Sequence, residues 1–209
     1  MNKNPRTSRL LNKARSTTSI RLSAADRTFL HDLSKALIID ETTANQWHYA
    51  ERKYGARRRL DKLVEAGILE RVEIGAPKGI GKVVAWQFAN KSVARAWGGD
   101  VPGVGVNRGH FHELLAGRAY FELGRPQEFR TASCFTLEDK RLFSGIAPDA
   151  IARGAGGETI FVEADSGHYT KTQIQQKQRA WQDRQQFWIQ PRSATARVPL
   201  GEYVSAVRV

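Results

Sequence analysis

The sequence holds a single cysteine, Cys134, among its 209 residues. An internal disulfide framework, a zinc site built on paired cysteines and a cysteine-ligated cluster are therefore excluded. No apolar run approaches the roughly 18 residues needed to cross a bilayer. The basic N-terminus is not followed by the apolar stretch that is typical of a secretory signal. We expect a cytoplasmic protein without a membrane segment.

Acidic residues are also scarce, with 21 Asp and Glu against 33 Lys and Arg, which gives a formal net charge of +12. Such an excess favours a polyanionic partner, and above all nucleic acid. Half of it lies in residues 1–22, which carry six cations and no acid. We predict that this segment is a disordered basic arm that contacts phosphates. A solubilising tail is the alternative.

Residues 23–99 are predicted to form a first domain of three helices and two strands. Ser23 and Asp26 have the spacing of a capping box and begin a helix that extends to about residue 36. A second helix is predicted over 43–54, with Trp47 and Ala50 buried, and a third over 56–66, ended by Gly67. Strand-like runs at 68–74 and 82–88 follow, joined by a glycine-rich tip.

This order resembles the winged helix-turn-helix domains of bacterial regulators, and the run RRLDKLVEAGILERVE at 58–73 is the most specific part of the likeness. In that fold the third helix enters the major groove and the wing contacts the backbone. The resemblance implies double-stranded DNA as partner, with Arg59 at the edge of the contact surface. The cations that it places on the DNA are Arg57, Arg58, Lys62, Lys78 and Lys82. The alternatives are cations that only solvate a helix and a winged helix that binds protein.

Residues 98–107 contain four glycines and one proline, so we predict a linker over 100–107 and a second domain over 108–209. Its pattern predicts a mixed α/β (α+β) fold. The predicted elements are a helix over 109–123, strands at 128–135, 143–153 and 158–165, a long helix over 171–187, and one or two strands in the tail.

Three carboxylates are predicted to meet at one edge of this second sheet. Glu163 and Asp165 are two residues apart on a strand and so share a face, and Asp149 begins the preceding strand of a hairpin. Three such groups stay ionised together only with a cation between them. Oxygen ligands suit Mg²⁺ or Mn²⁺. We therefore predict that all three are catalytic residues and ligands of one such ion, which could activate water for phosphodiester cleavage.

The same residues carry a resemblance to the PD-(D/E)xK nuclease superfamily. Asp149 follows Pro148, and Glu163 follows fourteen residues later. The position of the motif lysine holds Asp165, and some members of the superfamily move this lysine to the following helix. The resemblance then implies Lys177 as the catalytic lysine, with Lys171 as the weaker substitute.

A narrower resemblance covers about residues 23–190 and is to the replication-relaxation proteins, which include the MOBC-class plasmid relaxases. It is carried by the basic winged helix and four short motifs: H.LL....YFEL, PDA, VEAD.G.Y and I..K...W. It implies a site- and strand-specific nick at a plasmid origin of transfer, made with an accessory mobilisation or coupling protein. His112 would line the catalytic site, with Glu113 or Glu122 as further acids.

Three alternatives stay open. The chain could be a winged-helix regulator of replication or transcription with an inactive nuclease-like domain, and the displaced lysine favours this. It could be a restriction-type endonuclease that makes double-strand breaks. Tyr169 could act as a covalent nucleophile in place of water. Trp181 and Trp188 are predicted to be core residues rather than base-stacking platforms.

Overall fold

The computed structural model describes residues 20–50, 55–75, 81–100, 110–143, 146–194 and 197–209. The predicted basic arm up to residue 19, most of the predicted linker, the end of the second helix at 51–54 and Lys78 lie outside these residues. Among the described helices, none is long and apolar enough to cross a bilayer.

The described residues form a mixed α/β structure, so the predicted fold class is confirmed at this level. The helices are α1 (Ala24–Ala36), α2 (Glu41–Ala44), α3 (Arg57–Glu65), α4 (Lys91–Ala96), α5 (His110–Glu122), α6 (Leu137–Arg141) and α7 (Lys171–Ala180). A π-helical turn (Asn45–Tyr49) continues α2, and a 3₁₀ turn (Ala132–Cys134) precedes α6. The strands are β1 (Ile39–Asp40), β2 (Leu69–Gly75), β3 (Lys82–Phe88), β4 (Phe129–Thr131), β5 (Ala150–Arg153), β6 (Thr159–Ala164), β7 (Gln185–Gln190) and β8 (Val204–Arg208).

The first sheet has the strand order β1-β3-β2, and both of its pairings are antiparallel. The predicted capping box is confirmed, because the Ser23 and Asp26 side chains each bond the backbone N–H of the other residue. Leu60 and Leu63 of α3 are fully buried where this helix packs on β2. The spacing of the apolar residues therefore sets which side of α3 stays exposed.

The second sheet has the order β4-β5-β6-β7-β8, antiparallel up to β6 and parallel from β6 to β8. Helix α5 packs on β6 and β7. Helix α7 covers the opposite face, where Ile174 and Trp181 join Phe161 and Trp188 in a second apolar cluster. The ends of β5 and β6 thus lie between two helices, and this position frames the candidate site.

Helix α5 also joins the two sheets. At Gly117 an added Cβ would lie 2.5 Å from the Ala36 carbonyl oxygen and 2.8 Å from that of Ile38, so only glycine permits this approach. The Arg118 guanidinium pairs with Asp40 at 2.8 Å. One continuous hydrophobic cluster contains residues of both sheets. The described parts of the two predicted domains therefore share a core.

The prediction of a helix over 171–187 is wrong in its second half. Helix α7 ends at Ala180, and Gln185–Gln190 forms strand β7. The Gln186 side-chain amide donates to the Trp181 carbonyl at 2.9 Å and to that of Gln178 at 3.2 Å, which satisfies the end of the helix. Trp181 and Trp188 are buried as predicted, although one ends a helix and the other lies on a strand.

The predicted second helix is also corrected. It begins earlier, at Glu41, and its π-helical turn changes which side chains face inward. Trp47 is 37% exposed and Ala50 is exposed, whereas Tyr49 is buried. The predicted strands at 128–135 and 143–153 shorten to β4 and β5, and the helices α4 and α6 were missed.

The buried His48 gives stability a specific dependence on pH. Its side chain is fully buried 3.5 Å from Asp32. Burial lowers its pKa to about 4; the charge of Asp32 opposes this shift, and the charge of Arg125 adds to it. In the unfolded chain His48 is protonated as the pH falls below about 6.5, whereas in the folded chain it stays neutral until the pH is near 4. The free energy of unfolding therefore decreases as the pH falls from 6.5 towards 4. Urea unfolding measures this decrease in the free energy of unfolding between pH 7 and pH 4.5. The decrease should be larger in wild type than in His48→Gln, by on the order of 2 kcal/mol. Equal losses would contradict this role.

Candidate active site

Asp149 and Glu163 face each other across the β5–β6 pair. Ala150 pairs with Val162, and the Asp149 backbone N–H donates to the Val162 carbonyl at 2.9 Å. The Asp149 Oδ2 atom accepts from the Ala164 backbone N–H at 2.8 Å, which fixes this side chain against the end of β6. The antiparallel register thus places the two carboxylates at one edge of the sheet.

Glu163 is fully buried in the middle of several polar groups. Its Oε1 atom accepts from the Tyr169 hydroxyl at 2.6 Å and from the Lys177 ammonium. Its Oε2 atom is buried and has no hydrogen-bond partner among the residues that the structure describes. Burial, and then the charge of Asp149, raises the pKa of Glu163 to about 7, although Lys177 and Tyr169 oppose the rise.

Lys177 reaches this carboxylate from α7. Thr170 and Gln173 form a capping box that begins the helix, and Ile174 anchors it on the sheet. Lys177 follows Ile174 by three residues and so lies on the same side of the helix. Its ammonium nitrogen is 4.9 Å from the centre of the Tyr169 ring. The alternative, Lys171, is exposed at the first position of α7.

His112 reaches the same edge from the first turn of α5. Its Nε2 atom lies 2.8 Å from Asp149 Oδ1. Burial lowers the pKa of His112, but the bond to Asp149 and its charge outweigh this and raise it. Burial also acts to raise the pKa of Asp149, but His112 and Lys177 outweigh it, and the pKa is lowered. Both shifts favour an imidazolium next to a carboxylate.

The two further acids suggested by the resemblance are at opposite ends of α5. Glu113 is half-buried next to His112, and burial raises its pKa, as does the charge of Asp149. Glu122 is exposed at the last residue of the helix, nine residues later. At 1.5 Å per residue this is roughly 13 Å along the helix, so Glu122 is not part of the site.

Asp165, predicted as the third metal ligand, has a different set of contacts. The strand ends at Ala164. The Asp165 Oδ1 atom accepts from the backbone N–H groups of Gly167 at 2.8 Å and Tyr169 at 3.2 Å, and Oδ2 accepts from the Gln190 amide at 2.8 Å. Both oxygens accept hydrogen bonds from the loop and from β7, and the role of Asp165 as a metal ligand stays a prediction. In the ranges that the structure covers, no three His, Cys, Asp or Glu side chains form a group able to hold a metal ion.

The predicted DNA-contacting cations differ in their surroundings. Arg57 pairs with Glu41 at 2.5 Å, and Lys82 with Glu73 at 3.3 Å, both at the surface. Arg58 and Lys62 are exposed on α3. Lys78 lies outside the described residues.

Arg59 was predicted at the edge of the DNA contact surface, and this is corrected. It donates to Asp26 at 2.9 and 2.6 Å, and Asp26 is fully buried. This bidentate pair joins α3 to α1, so Arg59 serves the fold rather than the surface.

Sequence reasoning missed the hydrogen bond from Tyr169 to Glu163 and the contact of Gln190 with Asp165. Both partners are close only because the loop after β6 turns back on the strand and β7 lies parallel to it. The motif VEAD.G.Y contains the tyrosine, but its spacing gives no sign that the hydroxyl returns to the glutamate.

We compared the chain with models of protein families, with curated proteins and with solved structures, and it matches none of them.

Proposed function

We propose that this chain is a divalent-metal-dependent DNA nickase of the relaxase type, which makes a site- and strand-specific nick at a plasmid origin of transfer in the cytoplasm. One observation carries the catalytic part of the proposal. Within the described part of the chain, Glu163 Oε2 is a buried carboxylate oxygen without a hydrogen-bond partner, and Glu163 lies opposite Asp149. A buried oxygen of this kind is costly without a partner, and a bound metal ion would supply one in addition to the Lys177 ammonium on Oε1.

The residues at this edge fit a magnesium or manganese ion. Asp149 and Glu163 are hard oxygen donors, and Mg²⁺ commonly binds through one or two carboxylates, with water and phosphate completing its shell. A bound ion of this kind activates water and stabilises charge on a phosphate. Asp165 is omitted from the ligands proposed here, because its three hydrogen bonds, from two backbone groups of the loop and from Gln190, give it a role in the turn after β6.

The other side chains of the site have distinct proposed roles. Lys177 neutralises Glu163 and brings a cation to the place where a phosphate would bind. His112 holds Asp149 Oδ1, which leaves that carboxylate in one orientation. Because these contacts already orient the two carboxylates, neither side chain would have to move when a cation binds or during the reaction.

The DNA-binding part of the proposal rests on the first sheet and its helices. The order α1, α2, α3 and the β2–β3 hairpin agrees with a winged helix, and the second sheet with its flanking helices agrees with a PD-(D/E)xK nuclease. In the winged-helix interpretation α3 enters the major groove. Arg58 and Lys62 are exposed on this helix, whereas Arg57 would have to exchange Glu41 for a phosphate.

The exposed Lys62 provides a test of this contact surface. Lys62→Ala should weaken DNA binding and reduce the slope of log K against log salt by about 0.9, the value for one phosphate contact. Fluorescence anisotropy with a labelled duplex at several salt concentrations measures this slope. Lys91→Ala on α4 removes an equal charge outside α3 and is the control. An unchanged slope in Lys62→Ala would contradict groove binding by α3.

The nickase proposal is tested with a supercoiled plasmid that carries the native neighbouring DNA, in Mg²⁺, Mn²⁺ or EDTA. We expect metal-dependent conversion to open circles. A linear product would favour the restriction-type endonuclease. DNA binding without cleavage in either metal would favour the winged-helix regulator with an inactive nuclease-like domain, or a nickase that requires its accessory protein. Addition of that protein separates these two.

A further inference from the structure

We infer that Tyr169 is a positioning residue that holds both Glu163 and Lys177, and that Asp165 supports the site by fixing Tyr169 rather than by binding the metal. This inference rests on the proposed function, because it concerns the same site. It assigns new roles to two residues that the sequence motifs place in other roles, one as a possible nucleophile and one as a ligand.

The first part of the argument is the loop after β6. Asp165 is 1% exposed and accepts three hydrogen bonds, two from the backbone of the loop and one from Gln190 on β7. Gly167 adopts a φ of +92° between them, a conformation that side chains rarely allow. The carboxylate therefore fixes the turn that carries the Tyr169 backbone. Moving Asp165 onto a metal would break its bonds to the loop and leave the buried Gln190 amide without this acceptor, which lowers stability.

The second part is the double contact of the Tyr169 side chain. Its hydroxyl donates to Glu163 Oε1 at 2.6 Å, and its ring lies 4.9 Å from the Lys177 ammonium nitrogen. The first contact is a charge-assisted hydrogen bond, and the second has the distance of a cation–π interaction. Together they direct Glu163 Oε1 towards Lys177 and leave Oε2 as the atom without a partner.

The same contacts argue against a nucleophilic Tyr169. Its hydroxyl proton is already donated to Glu163 Oε1 at 2.6 Å. A nucleophile needs a base that takes its proton, but here the nearest carboxylate already shares its Oε1 atom with Lys177. The phenol thus remains a donor to Glu163.

Four single variants of the full chain test the inference, with Mn²⁺ binding followed by electron paramagnetic resonance and nicking followed as kcat and KM. Tyr169→Phe keeps the ring and removes only the hydroxyl. We expect about 10-fold weaker Mn²⁺ binding, the lower end for loss of a group that orients a ligand, and a lower kcat with little change in KM for DNA. Tyr203→Phe, at a site 43% exposed, is the matched control and should equal wild type.

Asp165→Asn separates the two roles of the aspartate. Asn keeps Oδ1 as the acceptor for the two backbone groups, and its NH₂ group can donate to Gln190 once the Gln190 amide turns over to present its oxygen. The loop and Mn²⁺ binding should therefore be kept within about threefold, well short of what loss of a ligand costs. Mn²⁺ binding weakened as much as in Glu163→Gln would identify Asp165 as a ligand and overturn the inference. Unchanged Mn²⁺ binding and kcat in Tyr169→Phe, or a covalent link between Tyr169 and DNA in the wild type, would also overturn it. A wild-type protein that binds no Mn²⁺ would instead refute the proposed metal site on which the inference rests.

Discussion

Replacing Glu163 by Gln should lower metal-dependent nicking by at least about 100-fold, the loss typical of removing one group that stabilises charge in a transition state. Gln can still accept hydrogen bonds from Tyr169 and Lys177, so the contacts of Oε1 survive while the negative charge is lost. The effect should fall on cleavage and not on DNA binding, because Glu163 is buried on a strand of the second sheet, whereas α3 packs on the first sheet. Plasmid nicking and anisotropy on the same preparation measure the two.

Glu158→Gln is the matched control. Glu158 is exposed and directly precedes β6, so this substitution removes the same charge from the same segment. Its nicking rate should equal that of wild type. Full activity in Glu163→Gln would remove this residue from the site, and equal losses in the two variants would show that the assay responds to charge alone.

Replacing Lys177 by Met should also lower nicking by about 100-fold, because the site loses the cation placed next to Glu163. The substitution should also raise the pKa of Glu163. Lys177 now lowers the pKa of Glu163, which is already raised to about 7. Without the ammonium the pKa rises further, so the carboxyl keeps its proton to a higher pH. The remaining activity should reach its half-maximal value at a higher pH than in wild type.

Lys171→Met is the control for this prediction, because it removes the same charge from the first residue of the same helix. We expect nearly full activity and an unchanged pH profile. A larger loss in Lys171→Met than in Lys177→Met would assign the catalytic lysine to position 171.

The sequence predicts the edge of the sheet on which the site lies. A glycine-rich turn between two apolar strands allows only a hairpin, and a hairpin brings the start of β5 opposite the end of β6. Asp149 and Glu163 are therefore neighbours for reasons that are local in the chain. The position of Lys177 is also predictable from helical spacing. It follows Ile174 by three residues and therefore lies on the side of α7 that packs on the sheet.

Other parts depend on contacts that no local pattern contains. Alternation along a strand places Asp165 on the same face as Glu163, but the strand ends at Ala164, and Asp165 turns to Gln190 and the loop. The sequence pattern after Trp181 predicts a continued helix, but residues Gln185–Gln190 pair in parallel with β6 and form strand β7. Arg59 reads as a surface cation until its partner Asp26, 33 residues away, is known.

The most direct measurement is the anomalous scattering of Mn²⁺ in crystals of the wild-type protein and of Glu163→Gln. The proposal predicts one strong peak between the Asp149 and Glu163 carboxylates, with oxygens at about 2.1 Å as is usual for such small hard cations, and its loss in the variant. A peak on Asp165 would move the site to the loop after β6. Wild-type crystals in saturating Mn²⁺ with no peak at Asp149 and Glu163 would contradict the metal-dependent nickase.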